Sequence, residues 1–161
     1  MRRIGLLALL GCLGVLVLVM TTTTTLATPP TGFGAPFTYR ATLPAFHIDS
    51  SDFKLFQKDP QDVVMRQLTI APGGNSGWHS HPGPVFVLIT QGSVVNYHAD
   101  DPTCTGQIIG AGQGYLETPG DIHMVRNEDT STTAILLATF LDVPVGGAFR
   151  LDAPRPGNCP F

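Results

Sequence analysis

Two histidines one residue apart, His79 and His81, are the first residues whose types and spacing indicate chemistry. They lie in the stretch GWHSHPGPVFVLITQG, before an apolar run that ends at Gly92. In a strand, residues two apart project from the same face, so both imidazoles would stand together while Trp78 and Ser80 face the other way. Inside a barrel, each ring nitrogen would need a partner, and a divalent metal satisfies both rings. Surface or hydrogen-bonded core histidines are the alternative.

These side chains need strands to position them, and residues 28–161 have the pattern of many short strands. Their apolar residues come in short runs, rich in β-branched and aromatic types and separated by Gly, Pro, Asn and Asp. No run shows apolar residues at three- and four-residue spacing over three helical turns. Regularly spaced strands indicate an all-β sandwich or barrel. Val85 and Val87 are expected to point into it.

A third histidine, His123, follows the tight Pro119-Gly120 turn in GQGYLETPGDIHMVRN. This stretch and the one quoted above resemble the two motifs of the cupin superfamily. The first motif contains Gly, His-x-His, Glu and Gly, and the second contains Gly, Pro-x-Gly, His and Asn. The matching positions are Gly73, His79, His81, Gly92, Gly112, Gly120, His123 and Asn127, with Thr118 where the family usually has proline. The resemblance covers about residues 73–127 and implies a jelly-roll barrel, the double-stranded β-helix, for residues 28–161.

The resemblance also implies one divalent metal ion, which could be iron, manganese, zinc, nickel or copper. Its implied ligands are His79, His81 and His123. The family's glutamate ligand would stand at Val85, and a valine cannot coordinate a metal. Three interpretations follow. The centre has three histidines, as in the cupin-like thiol dioxygenases and diketone-cleaving enzymes; or Glu117 or His98 supplies a fourth ligand; or the site has become a plain binding pocket.

Two side chains near the second motif are candidate catalytic residues. Tyr115 is a candidate acid or hydrogen-bond donor, with half-buried packing as the alternative. Glu117, six residues before His123, is a candidate base or ligand, with a solvated loop carboxylate as the alternative. His98 is expected at the surface, and His47 is expected to be structural.

The N-terminus has the pattern of a secretory signal. The first three residues, MRR, are positive, residues 4–20 are uncharged and mostly apolar, and threonines and small residues follow up to Ala27. Residues 1–27 are therefore expected to be a signal peptide, cleaved after Ala27 or retained as an anchor. A lipoprotein attachment at Cys12 is a further alternative. Any of these predicts a secreted or extracytoplasmic cupin domain at 28–161.

The charge of the chain limits the classes of partner that it can bind, and its cysteines indicate a disulfide. The chain has 9 basic and 12 acidic residues, and without its first 27 residues the net charge is −5. No basic run occurs there, which argues against nucleic acid and against a membrane surface, and favours a small-molecule partner. Cys104 and Cys159 are expected to form one disulfide that pins the proline-rich tail, with two free thiols as the alternative.

Together these patterns predict an exported, metal-binding cupin acting on a small molecule, by dioxygenase-like chemistry or as a lyase or isomerase. The alternative is a non-catalytic module that binds a small ligand or a sugar in the same pocket. The resemblance makes a homodimer possible, because cupins often pair through barrel edges.

Overall fold

The computed structural model describes residues 26–161, so most of the predicted signal segment lies outside the described residues. Within that range the regular elements are twelve strands: β1 (Thr31–Leu43), β2 (Phe46–Asp49), β3 (Lys54–Gln57), β4 (Gln61–Asn75), β5 (His79–Ser80), β6 (Val85–Gln91), β7 (Ser93–His98), β8 (Gln107–Gly110), β9 (Gly114–Glu117), β10 (His123–Arg126), β11 (Ala134–Val143) and β12 (Leu151–Asp152). Residues 26–161 contain no helical segment of the length and hydropathy that a bilayer crossing needs.

Ten of these strands form one antiparallel sheet that curls into a nearly closed barrel with two layers. The first layer has the order β1-β4-β11-β6-β9, and the second has the order β12-β5-β10-β7-β8. The layers meet where Asn75 of β4 pairs with Arg126 of β10. Strands β2 and β3 form a separate hairpin. The predicted all-β jelly roll is confirmed.

The space between the layers is filled by apolar side chains that alternate along the strands. In β6, Val85, Val87 and Ile89 are buried, whereas Phe86 and Leu88 are about half exposed. This is the two-residue period of a strand with one face in the core. The inward direction expected for the two valines is therefore observed. Burial of each such side chain contributes about 1.5–3 kcal/mol relative to exposure.

A second apolar cluster covers the outer side of the second layer, under the C-terminal tail. Trp78 is fully buried there, and its indole N–H donates to the Phe161 carbonyl at 2.9 Å. The tail is fastened by a disulfide between Cys104 and Cys159, whose Cα atoms are 5.3 Å apart. The predicted pairing is confirmed, and the proline-rich tail has a fixed place on the barrel.

Candidate metal centre

Two neighbouring strands of the second layer bring the three predicted histidines together. His79 is the first residue of β5, and His81 comes directly after that strand. His123 is the first residue of β10, where it pairs with His79. All three are buried. Each can offer one ring nitrogen, and these nitrogens lie within 4.8 Å of one another. Trp78 faces the opposite side, as the two-residue spacing predicts.

Each imidazole is oriented by a backbone carbonyl at its Nδ1 atom. The three hydrogen bonds run from His79 to Gly77 at 2.8 Å, from His81 to Phe149 at 2.6 Å and from His123 to Asp121 at 3.0 Å. Because a carbonyl oxygen can only accept, each Nδ1 must carry the proton in these bonds. The Nε2 atom of each neutral ring therefore keeps a lone pair, which is the tautomer that binds a metal.

A buried carboxylate joins the histidines. Glu117 ends β9, and its oxygens lie 3.2 Å from Nε2 of His81 and 3.1 Å from Nε2 of His123. With 5% of its surface exposed, it is not a solvated loop carboxylate, and that alternative is wrong. The reason is strand register, because β9 pairs with β6 so that Glu117 stands directly opposite Val85. A carboxylate is thus present beside the position where the family's glutamate is missing.

The electrostatics favour a positive charge at this point. Burial opposes ionisation of Glu117, but the two nearby imidazoles outweigh it and hold the pKa of the carboxyl well below its usual range. Burial also opposes protonation of His123, yet the carboxylate outweighs it and raises the pKa of that ring. By contrast, burial and the neighbouring His123 lower the pKa of His79 to about 2. The carboxylate therefore stabilises a cation beside it, either a proton on His123 or a bound metal.

The donor set fits a divalent metal. Nε2 of His123 is buried and has no hydrogen-bond partner among residues 26–161, although a Glu117 oxygen is only 3.1 Å away. Lone pairs on nitrogen and oxygen repel at that distance unless a proton or cation lies between them. Ligand–metal distances of about 2.0–2.2 Å place adjacent donors about 3 Å apart. The oxygen–nitrogen separations of 3.1 and 3.2 Å match this spacing, and the three imidazole nitrogens lie within 4.8 Å of one another.

Tyr115 faces the same interior, two residues before Glu117 on β9. Its hydroxyl is buried and has no hydrogen-bond partner in the described part of the chain. Burial, with the charge of Glu117 adding to it, raises the pKa of this phenol well above its ordinary value. The tyrosine and Glu117 border a small cavity of about 30 Å³. That is room for one or two waters. The rest of the wall is mainly apolar, from Phe33, Leu68, Ile70, Val87, Val125, Leu136, Ala138 and Phe140.

The other candidates lie outside this cluster. His98 is partly exposed, and its Nδ1 lies 2.7 Å from a carboxylate oxygen of Asp121. Its ring centre is 6.4 Å from that of His123. Asn127 is buried and donates to two backbone carbonyls, so it fixes the loop after β10. His47 is exposed on the separate hairpin. None of these adds a donor to the three imidazoles.

The segment before β12 also positions the site, and the sequence patterns did not single it out. The carbonyl of Phe149 accepts the His81 hydrogen bond. Asp152 of β12 pairs with His79 of β5, and the guanidinium of Arg150 donates to the Ser76 carbonyl. Because most of these contacts use backbone atoms, they leave no residue-type signal that a motif could reveal.

Comparison with known proteins identifies the family. Residues 66–140 match the family model described as a cupin domain. The chain is 33% identical over 98 residues to germin-like protein subfamily T member 3 of Arabidopsis thaliana, covering 58% of this chain and 43% of that protein. It is 29% identical over 104 residues to germin-like protein 3-1 of Oryza sativa subsp. japonica, covering 60% of this chain and 46% of that protein. The matches therefore span less than half the length of these curated relatives.

Among solved structures, a cupin-like protein of Thermotoga maritima aligns with a TM-score of 0.48 at 17% identity, over 58% of this chain and 65% of that one. The family match covers both histidine motifs and the strands that carry them. The chain therefore carries a cupin domain over residues 66–140, the region that holds both histidine motifs.

Proposed function

We propose that this cupin is a metal-dependent enzyme acting on a small molecule, with one divalent metal bound by His79, His81, His123 and Glu117. The observation that carries the proposal is the meeting of three oriented imidazoles and a buried carboxylate, with oxygen–nitrogen separations of 3.1 and 3.2 Å. A cation bound there would supply Lewis acidity and, if redox-active, the electron transfer of dioxygenase-like chemistry. The carboxylate would halve the charge of a divalent ion and strengthen its retention.

Glu117 is proposed as the fourth ligand, in place of the family's glutamate. Directly opposed residues on antiparallel strands have Cβ atoms about 4.5–5.5 Å apart, on the same face of the sheet. A glutamate at position 117 can therefore reach the region that one at position 85 would reach. Val85 is fully buried there. Of the three interpretations that the sequence leaves open, the fourth-ligand one has the closest geometric support.

Tyr115 is proposed to donate a hydrogen bond to a substrate oxygen. Its raised pKa, to which burial and the neighbouring Glu117 both contribute, keeps the hydroxyl protonated at neutral pH. The apolar wall keeps water away, so a hydrogen bond made there is stronger than one in solvent. The cavity has room for one or two waters, so a small thiol, diketone or phenol must displace part of the apolar wall to reach the hydroxyl.

Replacement of Tyr115 by phenylalanine is expected to lower kcat by about 100-fold, because loss of one aimed hydrogen-bond donor has about this effect. The metal content should not change, since only a hydroxyl is removed. Steady-state turnover and elemental analysis measure the two quantities. Tyr39→Phe is the matched control, because Tyr39 is 68% exposed on the outside of the barrel. Equal kcat in Tyr115→Phe and wild type would remove this residue from the mechanism.

The enzyme proposal is tested by loading the purified protein separately with iron, manganese or zinc. Metal stoichiometry is measured, followed by oxygen uptake and product formation with small thiols, diketones and phenols. We expect one metal per chain and turnover that His79→Ala abolishes. Ligand binding without turnover, undiminished in His79→Ala, would instead identify a non-catalytic binding module. A wild-type protein that retains none of these metals would contradict the proposal.

We also propose that the protein is exported. The disulfide supports this, because such bonds persist in oxidising compartments. The signal segment itself lies outside the described residues, apart from its last two positions. An intact mass of the exported chain that includes residues 1–27 would contradict cleavage after Ala27.

A further inference from the structure

One inward position of β4 is occupied by a charged residue. Arg66 lies between Val64 and Leu68, which are buried in the core and share its face because side chains alternate along a strand. Its neighbours in the strand register are Thr38 on β1 and Ala138 on β11, and Ala138 lines the cavity at the metal centre. A charge at such a position is costly unless an opposite charge compensates it.

The strand register places Arg66 in one row with Tyr115. Arg66 pairs with Ala138, Ala138 pairs with Val87, and Val87 pairs with Tyr115. Directly paired residues project from the same face of a sheet, and the last three of these line the cavity. The row spans three strand spacings, or about 14 Å. A small molecule lying along it would have Arg66 at one end and the tyrosine hydroxyl at the other.

The guanidinium of Arg66 is held in place with two nitrogens left to bind a ligand. Its Nε donates to Thr38 Oγ1 at 3.2 Å, and its Cζ lies 5.0 Å from the centre of the Phe149 ring. Among residues 26–161, no side-chain or backbone acceptor bonds to Nη1 or Nη2. A guanidinium presents its donors as a rigid planar fork that matches the two oxygens of a carboxylate.

The charges around Arg66 are not balanced. Arg40 also lies near the same aromatic ring, but it is paired with Asp62 at 2.8 Å. Arg150 is paired with Asp152 at 2.6 Å. Arg66 has no ion pair in the described part of the chain, and burial, with the charge of Arg150 adding to it, lowers its pKa. One positive charge is therefore uncompensated here, although the chain without its first 27 residues has a net charge of −5.

We propose that Arg66 binds the carboxylate of the substrate, so that the enzyme acts on small carboxylic acids whose other end reaches the metal and Tyr115. The inference rests on the proposed function, because it names the substrate class of the same site. A divalent metal with Glu117 would carry one net positive charge, and Arg66 adds a second at the far end of the row. A planar carboxylate matches the planar fork and is less bulky than a tetrahedral phosphate, which suits a cavity of about 30 Å³.

Part of the cavity wall must move to admit such a ligand, and Phe149 is the ring placed to do so. It is only partly buried, and its ring centre lies 5.0 Å from that of Phe140, which lines the cavity. A change of side-chain rotamer would move the Phe149 ring but leave its backbone carbonyl in place, and that carbonyl orients His81. The metal centre would therefore stay assembled while the path from Arg66 opens.

The test compares lactate with lactamide, and acetate with acetamide, in calorimetric titrations of the zinc-loaded protein. Each amide has nearly the shape of its carboxylate but no charge. The wild type should bind the carboxylates more tightly than the amides. In Arg66→Gln this preference should fall by at least about 10-fold, because charge-assisted hydrogen bonds are lost. Zinc affinity should not change, whereas a residue that only supported Phe149 and His81 would alter it.

The matched control is Arg155→Gln, which removes the same charge from the exposed tail and should keep the full preference. Arg66→Lys keeps the charge without the fork, so it should keep only part of the preference; it also serves if circular dichroism shows that Arg66→Gln does not fold. Failure of the wild type to bind zinc contradicts the proposed function. Zinc binding without measurable carboxylate binding overturns this inference alone. A preference that is unchanged in folded Arg66→Gln or Arg66→Lys, or equally lost in Arg155→Gln, does the same.

Discussion

The double variant Val85→Glu/Glu117→Val is expected to recover most of the metal affinity that Glu117→Val alone removes. The two positions face each other across β6 and β9, so the exchange returns the carboxylate to the same region from the other strand. Glu117→Val should weaken binding by at least about 100-fold, since loss of a residue that only orients a ligand already costs about 10- to 100-fold. Calorimetric titration with zinc and manganese measures the three affinities.

The single variant Val85→Glu is the control for the exchange. It places two carboxylates at one point of a buried interior, where like charges repel. We therefore expect it to bind metal no better than the double variant does. Wild-type affinity in Glu117→Val would show that the three imidazoles suffice and that the carboxylate has another role. Failure of the wild type to bind metal would instead contradict the whole metal centre, so the two failures are distinguishable.

The contrast between the histidines and Glu117 shows how far sequence patterns reach. His79 and His81 share a face because of a local period of two, and His123 follows a turn with its own motif. These patterns are local and can be recognised in the chain. The position of Glu117 depends on the register between β9 and β6, which are separated by 22 intervening residues. The position of Glu117 in the sequence suggested a solvated loop. Only the pairing of β9 with β6, opposite Val85, places its carboxylate in the barrel interior.

The same limit applies to the apolar side chains on the outward side of the first layer. Alternation within β6 predicts that Val85 and Val87 point inward, and therefore that Phe86 points outward. A single exposed apolar residue is ordinary on a protein surface. The alignment of Phe86 with Met65 and Leu116 across three other strands follows from register and not from any one segment. The all-β class was predictable from each run, whereas the continuous surface was not.

Loss of the Cys104–Cys159 disulfide is expected to destabilise the protein by about 4 kcal/mol, since the bond closes a sequence separation of 55 residues. For a domain of this size the melting temperature should fall by roughly 10–20 °C. The reason is that an uncrosslinked unfolded chain regains conformational entropy, while the tail by itself has no regular structure. Calorimetry or circular dichroism of the metal-free double variant Cys104→Ser/Cys159→Ser measures the change.

A reductant provides the control for the serine variant. It should lower the melting temperature of the wild type toward that of the variant and leave the variant itself unchanged. If the reductant lowers the melting temperature of the wild type by less than about 2 °C, the crosslink constrains little of the unfolded chain. The effect should also extend to the metal centre, because the tail follows directly after β12, which pairs with His79, and after Phe149, which orients His81. Metal affinity is therefore expected to fall about 10-fold in the serine variant.

Unchanged metal affinity in the serine variant would mean that β12 stays in place without the crosslink. The structure offers contacts that could do this, since the Ala153 amide donates to the Trp78 carbonyl at 2.9 Å and the Thr28 amide donates to the Ala153 carbonyl at 3.2 Å. Trp78→Phe in the serine background separates the two cases, because it removes the indole bond to Phe161 and loosens the packing under the tail. If metal affinity then falls, the tail supports the histidines through packing, and the disulfide acts chiefly on the unfolded chain.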